Sequence, residues 1–189
     1  MKKFFALACA ALLFVVLKNL DAARFDGLRG AALTFRIARL YAQEPDAQLA
    51  MPVEGVRVGL VGDTWRAPRS GGRLHEGQDI FAKRGTPVRS ATEGYAVRVG
   101  QNALGGNVVL VAGAGGRNYY YAHLDSFAPG LEAGDYVTAD SVLGFVGTTG
   151  NAAVTSPHLH FGVYAPGGVV DPRPLLADRS DATHEPHAE

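Results

Sequence analysis

The chain has 189 residues, with 47% hydrophobic and 19% charged residues and a formal net charge of zero. That is long enough to bury a real core, and the charge balance excludes the strong basic excess of a nucleic-acid surface. The outlier is glycine, with 24 residues spaced as punctuation between short apolar runs, the pattern of many strands joined by tight turns.

In chain order, Lys2 and Lys3 precede an unbroken apolar run from Phe4 to Leu17, a charged segment followed by a hydrophobic one as in export signals. The run is shorter than the roughly 20 residues that comfortably span a bilayer, although Lys18 can snorkel and Leu20 extend it. Residues 1–23 are therefore a cleaved signal peptide or a retained signal anchor. The absence of a clean small-x-small site, with Asp21 two residues before Ala23, favours the anchor and an association with the inner membrane. Arg24, Arg29, Arg36 and Arg39, just beyond the run, oppose translocation of that side. Cys9 is the only cysteine, so no disulfide forms within the chain.

Residues 24–51 read as a stalk. Phe25, Leu28, Ala32, Leu33, Ile37, Leu40 and Tyr41 fall close to helical spacing, and Glu44-Pro45-Asp46 breaks the pattern. From Pro52 to about Leu176 the pattern of short apolar runs and turns predicts an all-β domain. Its strands are expected at 56–61, 78–82, 87–91, 94–99, 107–112, 118–124, 135–137, 142–146 and 158–164. Gly113-Ala114-Gly115-Gly116 resembles a phosphate-binding loop only superficially, because a strand follows where a helix is needed, and it reads as a hairpin turn. Residues 177–189, with His184 and His187, are polar and aperiodic and read as a disordered tail.

The informative stretch is SPHLHFGVY, residues 156–164. In an extended chain His158 and His160 point to one face, while Leu159 and Phe161 point to the other. Upstream, His75 stands four residues before Asp79, an even separation that also returns both side chains to one face of a strand. Two histidines and a carboxylate suit a zinc site with an open fourth position. Glu76 after His75 begins a helical zinc-protease motif, but Asp79 stands where that motif needs its second histidine. A further histidine, His123, ends the aromatic strand YYYAHL, where the site still lacks an acid/base group.

The ordered set HEGQD, YAHL and SPHLHF, with GTPV at 85–88, LGFVGTTG at 143–150 and VDP at 170–172, resembles the lysostaphin/LytM-like zinc metalloendopeptidases over roughly Pro52 to Pro174. The resemblance implies an antiparallel β-sheet groove domain of the duplicated hybrid motif type. It also implies one zinc ion held by His75, Asp79 and His160, a catalytic pair in His123 and His158, and a substrate in the peptide part of peptidoglycan. An exported enzyme of the periplasm or cell envelope follows, with a non-catalytic wall-binding or regulatory domain as the alternative. Two departures stand out. Gly162 replaces the glutamate that often follows the histidine-leucine-histidine-phenylalanine run, and no tyrosine lies between Val56 and Leu74, where Trp65 is the only aromatic residue.

Overall fold

The computed structural model describes residues 27–179. The apolar run from Phe4 to Leu17, Cys9, His184 and His187 lie outside them. Among the described residues, no helix is long and apolar enough to cross a membrane.

The stalk forms helix α1 (Gly27–Tyr41). Its apolar spacing produces one buried stripe, Leu33, Ile37, Leu40 and Tyr41, while Phe35, Arg36 and Arg39 face outward. The segment after α1 is pinned. Asp46 Oδ2 accepts from Thr92 Oγ1 at 2.6 Å, and its carbonyl accepts from Arg117 at 2.7 Å.

Eleven strands follow: β1 (Leu49–Ala50), β2 (Gln78–Phe81), β3 (Pro87–Arg89), β4 (Gly94–Asn102), β5 (Gly106–Ala112), β6 (Asn118–Phe127), β7 (Tyr136–Val137), β8 (Val142–Val146), β9 (His158–Ala165), β10 (Gly168–Val170) and β11 (Leu176–Ala177). Nine of them form one antiparallel sheet in which β10, β9, β6, β5, β4 and β7 lie side by side, β2 pairs with β9, and β8 bridges β3 and β6. The remaining two, β1 and β11, pair in parallel. The turn at residues 113–116 is the hairpin connection its composition suggests. Gly115 and Gly116 take φ of +64° and +72°, and β5 and β6 pair from Ala112↔Asn118 onward.

One expected strand is corrected. Residues 56–61 carry a 3₁₀ turn at Val58–Leu60, because the alternating apolar residues find no neighbouring strand. Leu60 is left 79% exposed, and the N–H of Val58 bonds to the carboxylate of Asp178. Three short strands, β1, β10 and β11, carry too few residues to show a period. Within the expected tail, β11 takes in Ala177, and the Arg179 guanidinium donates to the carbonyls of Met51 and Ser90 at 2.7 Å.

Alternation gives the sheet two faces. Tyr119, Tyr121, Leu159, Phe161 and Val163 project into the main core, fully buried, with Tyr121 and Phe161 rings 5.2 Å apart. Burying each such aromatic contributes about 1.5–3 kcal/mol. Tyr120, Ala122, His160 and Tyr164 project the other way into a groove of about 730 Å³. Leu110 is the cross-strand partner of Tyr120 and shares its face. That places α1 on the groove side of the sheet, where Leu33, Ile37 and Tyr41 pack on Val97 and Ala112 beside the open groove. Tyr41 donates its hydroxyl proton to Asn118 Oδ1 at 3.1 Å.

Candidate metal centre

Strand register assembles the site. Asp79 on β2 is the direct partner of His160 on β9, which is the direct partner of Ala122 on β6, so one row of side chains crosses the groove floor. His75 lies in the loop entering β2, held by backbone bonds between Arg66 and His75 and between His75 and Ala67. The His-Glu stretch is therefore not helical, and the helical zinc-protease reading of Glu76 does not apply.

Three donor atoms converge. His75 Nε2 is 3.0 Å and His160 Nδ1 is 3.1 Å from Asp79 Oδ1, and the two nitrogens are 2.8 Å apart. His75 and Asp79 are buried, and the His160 ring is tucked beneath Gly77. His75 Nδ1 donates to the Thr64 carbonyl at 2.6 Å, which leaves Nε2 as the lone-pair atom facing the carboxylate oxygen. Three ligand atoms packed this closely can share one cation. Ligands about 2.0–2.1 Å from a tetrahedral ion stand about 3.3 Å apart, so this triangle fits a metal after opening by a few tenths of an ångström. His75, Asp79 and His160 are a His/Asp/His group that could hold a metal ion.

The electrostatics agree with a carboxylate that stays ionised. Burial works to raise the Asp79 carboxyl, but the contacts with the His160 and His75 rings, and the charge those rings carry when protonated, outweigh it and hold it well below the usual carboxylate range. Burial also pushes His160 down, against the pull of Asp79.

His123 and His158 stand beside the triad. Their rings meet edge to face with centroids 5.0 Å apart, and His123 lies 5.9 Å from the His160 ring. Each donates Nδ1–H to a backbone carbonyl, His123 to Thr149 at 2.9 Å and His158 to Ser156 at 2.8 Å, so each Nε2 carries a free lone pair. His158 Nε2 is 3.8 Å from Asp79 Oδ1. Burial first, then the neighbouring histidines, push His123 down to about 4, which keeps its ring neutral and Nε2 unprotonated at neutral pH.

Strict alternation would send His123 to the core face with Tyr119 and Tyr121. It reaches the groove because it takes φ of +64°, in the left-handed region that disfavours a side chain, while the β5–β6 register jumps between Asn107↔Leu124 and Val109↔Tyr121. Its N–H bonds to the carbonyl of Gly105 at 2.7 Å. Leu124 then returns to the core.

Three supporting residues carried no signal in the sequence. Thr64 holds both ends of the first motif, its carbonyl on His75 and its hydroxyl accepting from the Asp79 N–H at 2.9 Å. Thr149 holds His123, and Arg69 reaches Asp79 Oδ2 at 2.5 Å. Each is set by contact across the fold, with no spacing to announce it. At the departure noted in the sequence, Gly162 leaves room for the Tyr164 ring, which a Cβ there would meet at 3.0 Å. Tyr164 in turn meets Tyr120 edge to face at 6.3 Å, so phenol rings flank the groove on the sheet side. Trp65 is not among the lining residues; its ring carries the Arg66 guanidinium at 4.9 Å.

The pattern of Peptidase family M23 matches residues 73–172, more than half of the chain, and includes His75, Asp79, His123, His158 and His160. The chain belongs to Peptidase family M23. It is 38% identical over 124 residues to the L-Ala--D-Glu endopeptidase of Bacillus subtilis, a match covering 60% of this chain and 38% of that one. Among solved M23 structures, it resembles the catalytic domain of the antimicrobial peptidase lysostaphin from Staphylococcus simulans with a TM-score of 0.54 and 31% identity, covering 62% of this chain and 92% of that one. A zinc containing peptidase from Vibrio cholerae superposes with a TM-score of 0.58 and 25% identity, covering 68% of this chain and 40% of that one. The chain spans 25% to 38% of the length of the first curated relatives it matches. The fold is the mostly antiparallel M23 β-sheet with one short helix.

Proposed function

We propose that the protein is an exported zinc endopeptidase of the periplasm or cell envelope that hydrolyses peptide bonds in peptidoglycan stem peptides or cross-links. The observation that carries the reading is the convergence of His75, Asp79 and His160 on one point at the floor of an open groove, with His123 and His158 beside it. A non-catalytic wall-binding or regulatory role would not require all five groups to meet with their ring tautomers set. The kinship with an L-Ala--D-Glu endopeptidase supports stem peptide as substrate.

In this reading His75 Nε2, Asp79 Oδ1 and His160 Nδ1 hold the zinc ion. When bound, the ion supplies Lewis acidity to the scissile carbonyl and to water. The chain's own groups do the rest. The Thr64 carbonyl and hydroxyl orient His75 and Asp79 from behind. The Thr149 and Ser156 carbonyls fix the tautomers of His123 and His158, whose Nε2 atoms accept the proton of the attacking water and return one to the leaving amine. The open side of the groove admits an extended peptide, with Tyr120 and Tyr164 as its wall.

The test is digestion of purified peptidoglycan by the full chain, with and without a zinc chelator, reading fragments by mass spectrometry. Chelator-sensitive release, absent in Asp79→Ala along with the metal, is the expected result. No release by folded, zinc-loaded protein would overturn the endopeptidase reading.

A further inference from the structure

The carboxylate of Asp79 is divided between two partners. Oδ1 faces His75 and His160, whereas Oδ2 receives Arg69 Nη2 at 2.5 Å. The Asp79 side chain is 7% exposed and that of Arg69 is 41% exposed, so the guanidinium reaches from the lip of the groove down to a buried oxygen. The chain is folded to bring it there. Residues 67–74 double back through a Pro68↔Leu74 bridge and a bond from the Arg69 N–H to the Arg73 carbonyl at 2.9 Å, and the tip turns on Gly71 and Gly72, both near φ +70°. Positive φ at two successive residues is cheap for glycine alone.

We propose that Arg69 is a positioning residue of the metal centre, which holds Oδ2 of Asp79 and so commits this carboxylate to a single-oxygen contact with the metal. The inference rests on the reading that His75, Asp79 and His160 hold zinc. A carboxylate can ligate through one oxygen or two. A catalytic zinc site needs an open position, and a second oxygen from Asp79 would fill it. A charge-assisted N–H···O bond at this distance is strong enough to prevent that swing, and the guanidinium also balances the one negative charge among the three donors. Without Arg69, Oδ2 loses this bond and turns toward the cation.

The experiment compares the full chain with Arg69→Met, which keeps the apolar stem and removes every donor, and Arg69→Lys, which keeps the charge. Each is loaded with Zn²⁺ alone. X-ray absorption at the zinc edge reads the number of nitrogen and oxygen neighbours, and competition with a chelator reads the affinity. Arg69→Met is expected to gain one oxygen neighbour, to hold zinc at least as tightly as the wild type, and to lose about tenfold or more in turnover. Arg69→Lys is expected to restore the wild-type neighbour count. An unchanged count in Arg69→Met, or a loss of its zinc, overturns the inference. Failure of the wild type itself to bind zinc overturns the reading of the site instead.

Discussion

His123 and His158 face each other edge to face at 5.0 Å, each tied through Nδ1 to a backbone carbonyl of the one connection between β8 and β9, at Thr149 and Ser156. Neither belongs to the group of three converging donors, so under the proposed function metal holding and proton transfer separate by mutation. His158→Ala and His123→Ala are each expected to keep stoichiometric zinc and to lose about 10²–10⁴-fold in turnover. Metal analysis beside a cleavage assay checks both; loss of the zinc from either variant would move that histidine into the ligand set.

Gly77 packs its backbone against His160, one of the three proposed metal ligands. A Cβ at this position would stand 2.6 Å from His160 Cε1 and 2.7 Å from the Phe161 carbonyl oxygen, and the latter cannot move without the β9 backbone. Gly77→Ala is expected to push the His160 imidazole off the shared point and to weaken zinc about 10–100-fold, with about 1–3 kcal/mol lost from stability. Competition titration and urea unfolding measure the two effects.

Burial holds His123 down to about 4, below its ordinary value near 6.5, so the unfolded chain takes up this proton first as the pH falls. Stability of the metal-free protein is therefore expected to decline from pH 6.5 toward 4, and His123→Gln to make that slope shallower. The depressed Asp79 carboxyl acts in a lower window, contributing stability above about pH 3.9 that is lost as the pH falls further. Urea midpoints at half-unit pH steps, after zinc is stripped from both proteins, distinguish the two. Parallel curves between pH 4 and 6.5 would show that His123 does not carry the effect.

Helix α1 is attached to the sheet by a small apolar cluster of its own, with Ile37 fully buried at its centre. Ile37→Ala is expected to cost about 2–5 kcal/mol, and Tyr41→Phe, which removes the bond to Asn118, about 0.5–1.5 kcal/mol. Neither residue lines the groove, so zinc affinity should stay at the wild-type value in both. An affinity change would mean that α1 acts on the metal centre through the shared sheet face.

Much of this molecule is written locally. Period-two alternation alone separates His158 and His160 from Leu159 and Phe161, and the even spacing of His75 and Asp79 brings those two together, because a strand repeats every two residues whatever surrounds it. The helical stripe from Leu33 to Tyr41 and the glycine turn after β5 are legible for the same reason, since each depends on neighbours within a turn of the chain. The strands β1, β10 and β11 are too short to carry a period, and the apolar residues at 56–61 make a turn because no partner strand stands beside them.

What only the tertiary structure decided is how the pieces face one another. Pairing of Asp79 with His160 is a matter of β2–β9 register. The entry of His123 into the groove requires a left-handed residue and a register jump that invert local alternation. Thr64, Thr149 and Arg69 act on groups 11, 26 and 10 residues away, through contacts whose energy exists only after the sheet has closed. Residue types and spacing specify which groups can do the chemistry; long-range packing specifies the few ångströms between them.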